Sequence, residues 1–103
     1  MDDFVAYVGP PEIHDGVVEA VEREGDQVRV LLRGGIGRPI EVVFRGVESV
    51  TARRAEGMVL YALAEMRAPA PLRRFVFANW EEEDDASLEV IARELQPEGT
   101  ATA

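Results

Sequence analysis

The chain has 103 residues, 47% of them apolar, with seven aromatic residues, no cysteine and a net charge of -9 at pH 7. That length allows one hydrophobic core and no second domain, and we read residues 1–103 as a single domain with frayed ends at 1–3 and 97–103. Lack of cysteine excludes disulfides, a thiol nucleophile and cysteine-based metal sites. The acidic start Met1-Asp2-Asp3 is unlike a signal peptide, and no apolar run reaches the length of a membrane-spanning helix, so the cytoplasm is the expected location.

The charge is uneven: acids dominate residues 1–28 and 81–103, whereas nine arginines stand against four glutamates in residues 29–80. Every basic side chain is arginine. An acidic whole repels phosphate backbones, so neither nucleic acid nor an anionic membrane is an expected partner.

In chain order, Phe4-Val5-Ala6-Tyr7-Val8 is a β-prone run stopped by Gly9-Pro10-Pro11. Ile13-His14-Asp15-Gly16 leads into a hairpin of residues 17–23 and 27–33, with Val28, Val30 and Leu32 on one face. Gly34-Gly35-Ile36-Gly37-Arg38-Pro39 is a hairpin loop. It lacks both the Lys-Ser/Thr ending and the following helix that a phosphate-cradling loop requires. A strand over Ile40–Arg45 follows, and Gly46 bends the chain into another extended piece ending at Thr51.

Residues 55–66 fit two patterns. Ala, Leu, Met and Glu favour a helix with Val59, Leu63 and Met66 on one face. At period two the same residues give a strand buried on both sides. We take the helix, ended by Pro69 and Pro71. Arg73–Trp80 is a strand with Phe75, Phe77 and Asn79 on one face and Val76, Ala78 and Trp80 on the other. Glu81-Glu82-Glu83-Asp84-Asp85 is an acidic turn. Residues 88–96 fit a helix capped by Ser87 or a strand, and we take the strand, because the preceding β-run needs a partner at its edge. The resulting fold class is α+β, mainly antiparallel β: a small meander or partly closed sheet with one covering helix over residues 55–66. So little cover for the sheet makes a homodimer a reasonable expectation.

His14 is the only histidine, and the His14-Asp15 pair is the weak candidate for catalysis by a hydrolase or isomerase: an imidazole that moves protons beside a carboxylate that orients it. Adjacent residues on an extended chain point apart, and no serine or threonine stands at a spacing that makes a nucleophile. A metal would need His14 with Asp15, Asp84 or Asp85, but the acidic run has no glycine for a coordinating loop. We therefore expect no metal and no cofactor. Trp80 and Tyr61 can each fill the core. Trp80 beside Glu81, Glu82, Glu83, Asp84 and Asp85 also has the make-up of an interface, an aromatic anchor with a charged rim, and we take these six as candidate partner-binding residues for a basic protein.

Ile13-His14-Asp15-Gly16 before the first hairpin, with Val43-Phe44-Arg45-Gly46-Val47 later, resembles the layout of small uncharacterised bacterial β-rich domains, some of them toxin-immunity proteins. The resemblance spans about half the chain and carries over no catalytic residues. It implies a binding protein. The reading is thus a non-enzymatic protein-binding or accessory domain, with a self-associating structural domain as the alternative and a His14-dependent enzyme as the other.

Overall fold

A computed structural model describes residues 3–81 and 85–96. Among these residues nine strands form two antiparallel sheets. The first sheet has the order β1-β6-β7-β8-β5, where β1 is Phe4–Val8, β5 Ser49–Arg53, β6 Leu60–Met66, β7 Arg73–Asn79 and β8 Ser87–Ala92. The second has the order β2-β3-β4-β9, where β2 is Val17–Glu24, β3 Gln27–Arg33, β4 Pro39–Arg45 and β9 Glu94–Gln96. The only helical turn among the described residues is a 3₁₀ turn at Pro11–Ile13. No helix there is long and apolar enough to cross a membrane.

The expected α+β class, one sheet with a covering helix, is therefore corrected to two antiparallel sheets: Leu60–Met66 is a strand between β1 and β7, and residues 55–59 lead into it. β7 pairs along its length and β1 along Leu63–Met66, so two ladders of backbone hydrogen bonds override the helix preference of its Ala, Leu and Met side chains. The cover comes from the other sheet instead. Val28, Val30, Leu32, Val42, Phe44 and Leu95 on one inner face meet Leu60, Leu63, Phe75, Phe77, Leu88 and Val90 on the other in one buried cluster. Phe44 sits at its centre, with ring centroids 5.1 Å from Phe75 and 5.9 Å from Phe77.

Two corners join the sheets. At one, the chain leaves β4 through Gly46 into β5 while its neighbour leaves β8 through Arg93 into β9. Arg93 N–H donates to the Arg45 carbonyl and Glu48 N–H to the Ile91 carbonyl, at 3.1 and 2.7 Å, so pairing continues around the bend. Gly46 has φ +65°, and a Cβ there would lie 3.0 Å from the Arg93 side chain. At the other corner Val17 bridges Val59, and Leu60 N–H donates to the Gly16 carbonyl at 2.7 Å. A Cβ on Gly16 would come within 2.9 Å of the Ile13 carbonyl oxygen, so the backbone passes closely only because that residue is glycine. This explains Gly16 in the Ile13–Gly16 run.

Candidate functional site

The two outer faces differ in chemistry. On the β2-β3-β4 face, Arg29 pairs with Glu22 at 2.8 Å and Glu41 at 3.4 Å, and Arg33 with Glu19 at 2.9 Å. The Glu22 hydrogen bond, followed by the charge of Glu41, holds Arg29 above the ordinary arginine range. Toward β8 the outer face of the first sheet is charged: Arg74 of β7 donates to Glu89 at 3.0 Å and is held above its usual range by that bond. Toward β1 and β6 it is apolar, with Tyr7 beside Ala64 and Val76, and Ala62 beside Ala78.

Two bulges bring aromatic rings to that apolar end. Val5 is an extra residue in β1 between Phe4, opposite Met66, and Ala6, opposite Glu65. Residues three apart fall on opposite faces of a regular strand, so this insertion returns Phe4 to the same face as Tyr7, with ring centroids 4.8 Å apart. Tyr61 is the extra residue in β6, between Leu60, opposite Asn79, and Ala62, opposite Ala78. It lets Leu60 and Leu63 both enter the core while Tyr61 stays outside.

From Phe4 the rings run on in contact. Tyr7 lies 6.1 Å from Tyr61, Tyr61 5.0 Å from Trp80, and His14 5.5 Å from both Tyr61 and Trp80. All are edge-to-face, the arrangement the ring quadrupole prefers. Of the seven aromatic residues, Phe44, Phe75 and Phe77 are buried, whereas Phe4 (38% exposed), Tyr7 (60%), Tyr61 (40%) and Trp80 (44%) are all in this patch. Tyr61 separates two open hollows. One is lined by Tyr7, Pro10, Pro11, His14 and Leu63 among others, and the other, of about 370 Å³, by Tyr61, Ala78, Asn79 and Trp80.

His14 and Asp15 arrive from the corner. Asp15 N–H donates to the Leu60 carbonyl at 2.9 Å, and Asp15 takes a left-handed backbone with φ 67°, which aspartate tolerates better than most residues. Its Oδ1 accepts from Trp80 Nε1 at 3.1 Å. His14 Nδ1 lies 2.9 Å from the Tyr61 carbonyl oxygen. A carbonyl only accepts, so in the neutral ring the proton is on Nδ1 and Nε2 carries a lone pair. Nε2 stands 3.8 Å from Asp15 Oδ2. The two acceptors face the same space, and both side chains are more than half exposed.

The residues singled out from sequence are thus partly gathered and partly dispersed. Trp80, His14, Asp15 and Tyr61 meet, although Trp80 and His14 are far apart in the chain. Glu81 is exposed next to Trp80, and its N–H donates to Asn79 Oδ1 at 2.8 Å. Asp85 pairs instead with Arg53 at 3.3 Å and with Arg54, toward the β5 edge. Glu82, Glu83 and Asp84 lie outside the described residues. Period-two patterning does not single out Phe4 and Tyr7, because without the bulge their spacing does not put them on one face.

Among the described residues no three His, Asp or Glu side chains come together as a metal site. Comparison of the chain with family models, with curated proteins and with solved structures found no match, so it is described as a small, mostly β-sheet domain.

Proposed function

We propose that this is a non-enzymatic binding domain whose contact surface is the aromatic end of the first sheet's outer face, and whose partner is a polypeptide bearing basic side chains. The observation that supports it is the exposed chain of touching rings Phe4, Tyr7, Tyr61, His14 and Trp80. Tyrosine and tryptophan bring large contact area with little rotamer entropy to lose, and such clusters mark interfaces. The opposite face, covered with ion pairs, offers no comparable surface.

Charge favours a basic partner. The chain carries -9, and Glu12, Asp15 and Glu81 lie beside the rings in the sequence. A second copy docked face to face would bring those acids against each other, so we place the homodimer behind the basic partner. Neutralisation of a basic protein, as by an immunity protein in the cytoplasm, is one form such binding takes. The His14–Asp15 pair alone, open to solvent, gives catalysis little support.

The test is selection from a random peptide display library on the native chain, with counter-screening on the Tyr61→Ser/Trp80→Ser double variant. Enriched basic peptides that lose binding to the variant are the expected result. Enriched peptides that bind both proteins equally would overturn the assignment of this surface.

A further inference from the structure

We propose that His14 and Asp15 form an arginine subsite within that surface, taking one guanidinium group of the partner against the Tyr61 and Trp80 rings. The inference rests on the binding reading above and adds the chemistry that reads the partner. Three observations carry it. Asp15 Oδ2 and His14 Nε2 are two acceptors 3.8 Å apart, with no donor between them among the described residues. Both are fixed from behind: the other carboxylate oxygen holds the Trp80 indole N–H, and the other ring nitrogen donates to the Tyr61 carbonyl. The Tyr61 and Trp80 rings stand at 87° to each other, and neither adjoining hollow has an arginine in its lining.

A guanidinium answers each of these features. Its planar fork of N–H groups spans a carboxylate oxygen and a neighbouring lone pair, and its flat face stacks on an aromatic ring. An ammonium group supplies charge but neither the fork nor the flat face. Asp15 supplies the negative charge, His14 the second acceptor, and the rings a dry wall on which a weakly hydrated cation rests.

The experiment is a titration of the isotopically labelled full chain, followed by NMR, with the capped tripeptides acetyl-Gly-Arg-Gly-amide, its lysine analogue and its citrulline analogue. Citrulline keeps the shape and removes the charge. The arginine peptide is expected to shift the Trp80 indole and Asp15 amide resonances saturably, and citrulline to bind at least about tenfold more weakly, the loss of one charge-assisted hydrogen bond. Asp15→Asn keeps the left-handed backbone and the acceptor for Trp80, and is expected to weaken the arginine peptide by a similar factor. His14→Phe keeps an aromatic ring and removes the second acceptor, and a smaller loss is expected. Equal binding of arginine and citrulline peptides, or unchanged binding to Asp15→Asn, would overturn the subsite. Equal binding of lysine would overturn its assignment to arginine. Failure here is separable from failure of the binding surface, because library peptides that need Tyr61 and Trp80 but contain no arginine would retain the surface and remove only the subsite.

Discussion

Replacing Phe44 by alanine tests whether the two sheets cover each other. Phe44 is fully buried and touches two aromatic rings of the facing sheet, Phe75 and Phe77. Truncating a buried phenylalanine costs about 3–5 kcal/mol, of which each aromatic contact accounts for about 0.5–1.5 kcal/mol. A domain of this size is stable by about 5–15 kcal/mol, so the variant keeps a fraction of its stability or unfolds. With a urea slope of about 1–1.5 kcal/mol per molar, the midpoint falls by roughly 2–5 M. Urea titration followed both by far-UV circular dichroism and by Trp80 fluorescence measures this, and the two probes should give one transition. Phe44→Leu, which leaves a smaller void, should lie between the two. A loss below about 1 kcal/mol for the alanine variant would mean that the facing sheet does not pack on Phe44, and the two-sheet core as described would be wrong.

Other outcomes follow from single contacts. Arg73 makes a two-pronged ion pair with Glu65, at 3.1 and 2.9 Å, where both side chains are largely buried, and its guanidinium lies 5.0 Å from the Phe75 ring centroid. Arg73→Met should cost about 1–3 kcal/mol in urea unfolding, since it strands the Glu65 carboxylate, and the loss should persist in high salt. By contrast, Arg29→Gln on the exposed face should matter measurably only at low ionic strength, with thermal melts of parent and variant converging in 0.5–1 M salt, at a Debye length of roughly 3–4 Å. Arg29 is held above its ordinary range, so on the arginine side its stabilisation is lost only as pH rises through that raised value, and the difference between parent and Arg29→Gln melts should not change between pH 6 and 9, where Glu22 and Glu41 are also ionised. Gly46→Ala should cost about 1–2 kcal/mol or more, as it combines a left-handed backbone with a close approach to Arg93, whereas Gly37→Ala, also left-handed but in open space, should cost less. Tyr61→Ser and Trp80→Ser, which remove three and two ring contacts from half-exposed positions, should each cost about 1–3 kcal/mol in urea unfolding, and far-UV circular dichroism of the double variant should match the parent's wherever it serves as a probe of the surface.

Much of the fold is legible in the sequence. The alternation of Val28, Val30 and Leu32, the Phe75/Phe77 face and the bend at Gly46 all appear where period-two patterning and glycine chemistry put them. Residues 55–66 mislead because Ala, Leu and Met serve a helix or a central strand equally well, and only pairing on both sides decides. The site was legible in pieces. His14, Asp15, Tyr61 and Trp80 stand out by rarity, but nothing local shows that a corner carries the first two onto the strand ends that bear the others. Bulges at Val5 and Tyr61 hide Phe4 and Tyr7 further, since one inserted residue changes which side chains share a face.

The corner at Gly46 and Arg93 also bears on how the domain comes apart. Because hydrogen bonding runs from β4 and β9 around the bend to β5 and β8, these four strands cannot part from one another one sheet at a time. Their amide protons beside the bend are therefore expected to exchange together, in one opening that spans both sheets. Ending the chain before β9 would leave Phe44 without Leu95 across from it and bare the Val43–Arg45 stretch of β4, replacing a three-residue edge strand with a longer and stickier one.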